Sequence, residues 1–205
     1  LNQDMNACSF TVNNTAQVTV QSGNNLIVDN EVVIGVSANL TMENNANLIQ
    51  ISNAQNTGSI TQNRSTSPLM RLDYAMWSSP VTGSQSLFNF SPLTMTNRFY
   101  TYSTNANIYT AISNPSSVGF EEGKGYLIRM PDNHPTSPTI WTGTFNGVPK
   151  NGDIEVDLAY SSATQKFNAI GNPYPSTINA NQFLLDNQTQ IEGTLYFWRK
   201  TNNAP

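Results

Sequence analysis

The sequence is poor in charge and has no long apolar runs. Charged residues make up 11% of the 205 residues, and the formal net charge is −4. Nucleic-acid binding needs concentrated Lys and Arg to replace phosphate counterions, so this composition argues against nucleic acid as a partner. No apolar run approaches the ~20 residues that span a bilayer, so we expect no membrane insertion.

Cysteine is almost absent as well. Cys8 is the only one, which excludes an intrachain disulfide within these residues and argues against a zinc site. A lone thiol of this kind is typically a small buried apolar side chain, and we expect Cys8 to be buried. The sequence opens with LNQDMNACSF rather than a basic and apolar leader, so we expect any signal peptide to lie upstream or to have been removed.

The polarity of the chain comes from uncharged side chains. Asn, Thr, Ser and Gln together account for 82 of the 205 residues, and Asn alone for 29. Such residues favour turns between short strands. Hydrophobic residues at 38% and aromatic residues at 10% are more than a disordered chain contains. The composition therefore predicts an all-β fold.

Residues 1–60 contain short apolar runs at regular intervals, separated by Asn, Gly and Ser. The runs begin at Phe10, Val18, Leu26, Val32, Leu40 and Leu48. Strands this short cannot each bury a face alone, but they can when they stack on one another. We therefore predict a short N-terminal β-solenoid or a tight meander over residues 1–60.

The segment NTGSITQNRSTSP, Asn56–Pro68, is polar, contains glycine and ends in proline, which predicts a domain boundary. After it the apolar runs are longer and richer in aromatic residues. The runs are LMRLDYAMW, RFYTYS, NIYTAI, GYLIRM, TIWTGTF, DIEVDLAY, KFNAIG and TLYFW. Eight such runs predict an antiparallel β-sandwich, jelly-roll-like, over residues 68–205.

One segment of this second part has a helical pattern. In STINANQFLLDN, Ser176 or Thr177 is placed to cap a short helix. We expect that helix to bring Phe183 and Leu184 onto the core.

Three carboxylates alternate with apolar residues in DIEVDL. A strand would place Asp153, Glu155 and Asp157 on one face, where they could bind Ca²⁺ or supply the acid and base of a glycoside hydrolase. The same alternation is typical of the solvent face of an edge strand. His134, in the irregular loop MPDNHPTSP, has no second catalytic or metal-binding residue near it in sequence, so we expect a surface loop residue.

Aromatic residues are the other candidates for binding. Trp77, Trp141 and Trp198, with eight Tyr, could form a platform on which sugar rings stack. All three Trp also lie among aliphatic strand residues, where packing in the core is the alternative.

A phrase occurs twice in the chain, 93 residues apart. YAMWSSPV starts at Tyr74 and FNAIGNPY starts at Phe167. Each copy has an aromatic residue, an apolar residue and then a proline, which cannot donate to the next ladder bond and so ends a strand. We interpret the motif as structural rather than catalytic. It would mark two strands that end in equivalent places, either in the two halves of a sandwich or along the same edge. Its members are Pro80, Gly171, Asn172, Pro173 and Pro175, and the sequence NPYP makes a cis peptide bond possible at Pro173 or Pro175.

An ordered set of motifs resembles a known family. These are YAMWSSPVTG, FEEGKGYLIRMP, FNGVPKNGDIEVDL, FNAIGNPYPSTINANQFL and IEGTLYFW. They are similar to a β-rich module of large secreted and cell-surface proteins of the Bacteroidota that leave the cell by the type IX secretion system. The resemblance covers about residues 74–198 and brings no catalytic residues with it. Such proteins end in a sorting domain, so we expect this module to be truncated at Pro205.

Together these features predict a non-catalytic structural or adhesive module, extracellular and attached to the cell surface, with no cofactor. Its partners would be neighbouring modules or subunits of the same surface assembly, bound through loops or edge strands. The alternative is a glycan-binding accessory module of a secreted polysaccharide-degrading enzyme. A glycoside hydrolase that uses the three carboxylates is a further alternative.

Overall fold

The computed structural model describes residues 1–200, and its regular elements are short strands with two short helices. The all-β prediction is confirmed; Pro205, where we expect truncation, lies outside the described residues. The first eight strands are β1 (Met5–Ala7), β2 (Phe10–Val12), β3 (Gln17–Val20), β4 (Asn25–Val28), β5 (Val32–Ile34), β6 (Asn39–Met42), β7 (Asn47–Gln50) and β8 (Ile60–Ser65). The others are β9 (Tyr74–Trp77), β10 (Val81–Thr82), β11 (Phe99–Ser103), β12 (Ile108–Ala111), β13 (Tyr126–Arg129) and β14 (Thr142–Pro149). The helices are α1 (Leu87–Phe90) and α2 (Ala180–Asp186), and Thr96–Arg98 forms a 3-10 turn.

The six apolar runs predicted in residues 1–60 are strands β2 to β7. Each strand of the first coil, which comprises β1, β2 and β3, pairs in parallel with the strand three elements later. Asn25 and Asn47, which are 22 residues apart, lie opposite each other in the next pairing, between β4 and β7. Successive coils therefore stack. The parallel pairing is incompatible with a meander, in which neighbouring strands run antiparallel.

The inside of the stacked coils is apolar, and its corners are polar. Ten apolar side chains are buried there: Val12, Val20, Leu26, Val28, Val32, Ile34, Leu40, Met42, Ala46 and Leu48. At two corners Asn14 and Asn45 have φ of 56° and 63°, the left-handed region that asparagine tolerates better than most residues. This accounts for part of the asparagine content.

Strand β8 lies inside the segment predicted as a domain boundary. It pairs in parallel with β6 of the stacked coils and antiparallel with β14, so one five-stranded sheet runs in the order β10-β14-β8-β6-β3. The sheet is therefore mixed rather than purely antiparallel. The division into residues 1–60 and 68–205 stays a prediction.

A four-stranded antiparallel sheet, in the order β12-β11-β13-β9, packs against the mixed sheet through aromatic side chains. Trp77 of β9 contacts Phe145 of β14 with ring centroids 6.2 Å apart, and Phe90 of α1 stacks on Phe145 at 4.5 Å. Phe120 joins Tyr126 of β13 to the same cluster, at 5.5 Å from Tyr126 and 5.3 Å from Phe145. These rings fill the space between the sheets.

The last quarter of the chain departs most from the expectation. The runs DIEVDLAY, KFNAIG and TLYFW form no named strand, although an isolated antiparallel bridge joins Ile170 to Lys124. Alternation gives a strand its faces, but a strand also needs a partner ladder. In α2 the cap is Asn179, whose Oδ1 accepts the backbone N–H groups of Asn181 and Gln182, and the helix buries none of its residues. Our prediction that Ser176 or Thr177 caps it, and that Phe183 and Leu184 reach the core, is wrong.

The two copies of the repeated phrase meet on one partner strand. Trp77 pairs with Tyr126, and beyond Trp77 the chain turns away at Pro80. The second copy then takes over the ladder: the Gly125 N–H donates to the Ala169 carbonyl at 2.9 Å, and the Gly171 N–H donates to Gly123 at 2.9 Å. The copies thus lie end to end, but only the first of them is a named strand, so they are not two equivalent strand ends.

The segment that follows the second copy closes the stack of coils. The Leu48 N–H at the outer edge of β7 donates to the Pro175 carbonyl at 2.9 Å, and the Thr177 N–H donates to the Asn47 side chain at 3.0 Å. Asn172 Oδ1 accepts the Tyr174 N–H at 2.9 Å, which holds the turn between Pro173 and Pro175. Within residues 1–200 every peptide bond is trans, so neither proline is cis.

Candidate functional site

The three predicted carboxylates are not gathered into a site. Asp153, Glu155 and Asp157 are all exposed and lie on an irregular segment rather than on one face of a strand. Asp153 lines a cleft at the outer edge of β7. Among the described residues no group of three or more His, Cys, Asp or Glu is close enough to hold a metal ion. The alternation of DIEVDL therefore reflects exposure of the acidic residues rather than an assembled carboxylate cluster.

The three tryptophans do not form a common platform. Trp77 is 8% exposed and lies in the aromatic core, where its ring contacts Trp141 at 5.3 Å. Trp141 is half-buried against the same core. Trp198 is 46% exposed and lines a cleft beside β9 that Trp77 also lines. Trp77 cannot stack on a ligand because its faces are already covered by other side chains, so its assignment as a binding residue is corrected.

A cleft of about 330 Å³ lies at the outer edge of β7. Its walls are residues 150–153 and 174–176, and the Tyr174 hydroxyl joins them by donating to the Gly152 carbonyl at 2.7 Å. Asn151 fixes the first wall, because its side-chain amide donates to the Ser52 carbonyl at 2.7 Å. These hydrogen bonds, together with those that join Pro175 and Thr177 to β7, hold the walls of the cleft in place.

Lys150 is the cation of this cleft, and it is buried. Its side chain is 4% exposed and its Nζ lies 3.4 Å from Glu122 Oε1. Burial lowers the pKa of Lys150, and the neighbouring Glu122 carboxylate partly offsets that effect. Burial also raises the pKa of Tyr174, and Asp153 adds to the rise. Since Lys150 already forms an ion pair with Glu122, its charge has a structural role rather than a role in binding a ligand.

The outer face of the four-stranded sheet is rich in tyrosine. Because side chains alternate along a strand and opposite residues share a face, the register places eight side chains on this side: Ala111, Arg129 and six that are tyrosine, methionine or leucine. We name these six residues the tyrosine face: Tyr74, Met76, Tyr100, Tyr102, Tyr109 and Leu127. The opposite face carries Trp77, Phe99, Tyr126 and Ile128, which are buried.

The rings of the tyrosine face contact one another across the strands. Tyr74 and Tyr100 are edge to face with centroids 5.8 Å apart, and Tyr102 and Tyr109 are 5.3 Å apart. The Tyr109 hydroxyl lies 3.9 Å from the Met76 sulfur. Tyr109 is 38% exposed and the other members are half-buried, so the face is open to solvent.

Cationic residues border the tyrosine face. Arg98 Nη1 donates to the Tyr100 hydroxyl at 3.4 Å. Burial and the neighbouring Tyr100 raise the pKa of Tyr74, while Arg98 and Arg129 act in the opposite direction. Beside β9, Arg199 helps to line a second cleft of about 220 Å³ together with Tyr74, Met76 and Trp198.

The single histidine and the single cysteine both differ from expectation. His134 is 7% exposed, and its Nε2 lies 2.9 Å from the Leu69 carbonyl and 3.2 Å from that of Thr139. It holds the 131–139 loop to the rest of the chain and is not a surface residue. Cys8 is exposed rather than buried.

The tyrosine face was not predicted, although its signal is present in the sequence. Tyr74 and Met76 alternate in DYAMW, as do Tyr100 and Tyr102 in RFYTYS. In both runs the pattern is carried by tyrosine rather than by tryptophan. The sequence pattern does not predict the strand order that brings these runs together.

Comparison with known proteins gives a family without an assigned role. A family model described as a domain of unknown function, DUF8693, matches residues 1–205. Neither the curated proteins nor the solved structures contain a match to this chain. In the part of the chain that the structure describes, neither helix is long and apolar enough to cross a membrane.

Proposed function

We propose that this chain, which belongs to the DUF8693 family, is a non-catalytic structural and adhesive module of a secreted bacterial cell-surface protein. The observation that carries the proposal is the tyrosine face, an open sheet surface of partly exposed rings rather than an enclosed pocket. Exposed aromatic surface on a folded domain marks an interaction site. Asp153, Glu155 and Asp157 are all exposed on an irregular segment, and we assign them no role in the proposed function.

The proposal includes the architecture and the place of the module. We describe residues 1–60 as a short β-solenoid, supported by the 22-residue parallel stacking, and the following strands as a jelly-roll-like β-sandwich. We place the module outside the cell and attached to its surface, as the resemblance to type IX secretion cargo of the Bacteroidota implies. Neighbouring modules or subunits of the same assembly are its expected partners.

An adhesion assay tests the main proposal. Beads coated with the protein should be retained under flow on the surface polymers of the source cells or of their neighbours. The double variant Tyr102→Ser/Tyr109→Ser should lose that retention, because it removes two rings of the tyrosine face. Tyr160→Ser is the matched control, since Tyr160 is 71% exposed and lies outside the sheet. Equal retention of all three proteins would refute adhesion through this face.

A glycan-binding accessory module is the second candidate. The observation that favours it is the cleft of about 220 Å³ in which the exposed Trp198 lies next to Tyr74. A flat ring beside a groove suits the apolar face of a sugar. A glycan array probed with wild-type protein and with Trp198→Ala tests this candidate, and loss of array signals in the variant is the expected result.

A further inference from the structure

We propose that the tyrosine face binds a polysaccharide that carries carboxylates, that is, a chain containing uronic acids. This inference rests on the proposed adhesive function and names the ligand class of the same surface. Rings, hydroxyl groups and positive charge occur together on the tyrosine face.

The rings supply the contact area. Tyr102 and Tyr109 lie on neighbouring strands with centroids 5.3 Å apart, and Tyr74 and Tyr100 form a second pair at 5.8 Å. The apolar faces of sugar rings pack on aromatic side chains, whose rings hold their position at a low cost in conformational entropy. Two ring pairs on one sheet offer contacts to successive units of a chain.

The charge around the face selects an anionic chain. Within residues 1–200 neither Arg98 nor Arg199 takes part in an ion pair. Two other cations nearby do have carboxylate partners: Arg129 pairs with Asp132 at 3.1 Å, and Lys200 lies 3.7 Å from Asp73. The border is therefore locally positive on a chain whose net charge is −4. Charge complementarity of this kind favours an anionic partner.

Arg98 is the side chain that favours a carboxylate. Its guanidinium already touches the Tyr100 hydroxyl, which fixes it at the rim of the rings. A guanidinium presents parallel N–H groups that match a carboxylate in a bidentate geometry. By contrast, the segment from Phe99 to Val118 contains no charged residue, so no acidic side chain of that segment opposes an anionic ligand.

Gel electrophoresis through immobilised polymer measures the binding. Wild-type protein should be retarded in gels that contain polygalacturonate and should run freely in gels that contain dextran. Arg98→Gln should weaken the apparent affinity for polygalacturonate about fivefold. The variant Tyr102→Ser/Tyr109→Ser should weaken it on the order of tenfold.

The controls separate recognition from simple charge. Lys124→Gln removes one positive charge from an exposed pair with Glu121, away from the tyrosine face, and should leave retardation unchanged. Circular dichroism checks the folding of every variant. If the tyrosine double variant does not fold, the comparison of Arg98→Gln with Lys124→Gln still decides.

Three results would overturn the inference. These are free migration of wild-type protein in polygalacturonate, equal retardation in dextran, and equal loss for Arg98→Gln and Lys124→Gln. Retardation in dextran sulfate that survives removal of both tyrosines, with none in polygalacturonate, would indicate nonspecific charge and would also refute it. If wild-type beads adhere but the protein does not bind polygalacturonate, only this inference is refuted. If wild-type beads do not adhere at all, the proposed function is refuted.

Discussion

Gly171 packs directly against Ser78, so that a Cβ added to Gly171 would lie 2.2 Å from the Ser78 Cβ. The two residues belong to the two copies of the repeated phrase. The first copy leaves the ladder with β13 after Trp77, and Ala169 and Gly171 of the second copy bond to Gly125 and Gly123, which precede β13. The absence of a side chain at Gly171 is what allows the second copy to enter the ladder where the first one leaves.

Gly171→Ala should therefore destabilise the protein by about 2 kcal/mol, because overpacking a tight contact forces neighbouring backbone to move. Urea unfolding followed by tryptophan fluorescence measures the loss. Ser78→Gly combined with Gly171→Ala should recover most of it, since the nearest remaining Ser78 atom is a backbone Cα at 3.6 Å. Gly119→Ala is the control, because its added Cβ meets nothing closer than 3.7 Å. A double variant no more stable than Gly171→Ala alone would contradict the contact.

Asn56→Asp should destabilise the junction between the stacked coils and β14. Asn56 is 8% exposed, and its side-chain amide donates to the Pro149 carbonyl at 2.9 Å while its Oδ1 accepts the Val32 N–H at 2.8 Å. A carboxylate cannot donate to Pro149, and its charge would be buried. We expect a loss of about 2–4 kcal/mol in the free energy of unfolding. Asn2→Asp, on an exposed residue, should change it by less than about 0.5 kcal/mol.

Glu122→Gln should cost more stability than the neighbouring substitution Glu121→Gln. The first removes the carboxylate that lies 3.4 Å from the buried Lys150, and so leaves an uncompensated charge in the interior. Glu122 is itself 48% exposed, which limits the expected loss to about 1 kcal/mol. Glu121 pairs with Lys124 at the surface, where a loss below about 0.5 kcal/mol is expected. Thermal unfolding at the same pH compares the two variants. Equal shifts in Tm would argue against a stabilising ion pair between Glu122 and the buried Lys150.

Stability should fall as the pH rises from about 10 to about 12. Burial raises the pKa of Tyr126 from 10.0 to about 12. Below pH 10 the residue is protonated in both states; above pH 10 the unfolded chain ionises first, so unfolding is favoured until the folded pKa is passed. Tyr126 contributes up to about 2 kcal/mol to this loss. Denaturant midpoints at pH 8, 10 and 11 should therefore drop less in Tyr126→Phe than in the wild type.

Part of the candidate site could be read from the sequence, and part could not. The alternation of DYAMW and RFYTYS predicts that each strand has one face of mixed tyrosine and methionine. It does not predict that β11 lies next to β13 and that β9 lies at the edge, which is what assembles the tyrosine face. Conversely, the alternation of DIEVDL suggested a carboxylate site that tertiary structure does not build, because no strand pairs with that segment.

The sequence alone determined the all-β class of this protein and the spacing of its N-terminal strands. Scarce charge and abundant Asn, Thr and Ser imply short strands joined by turns, and the apolar runs locate β2 to β7, since apolar side chains must be buried wherever they recur. Only the tertiary structure decided which strands pair with one another in the sheets. Polar β8 becomes a strand because β6 and β14 offer it backbone groups on both sides, and TLYFW forms no named strand although its pattern favours one. Backbone hydrogen bonds depend on the neighbour that the fold supplies, and no local pattern encodes that neighbour.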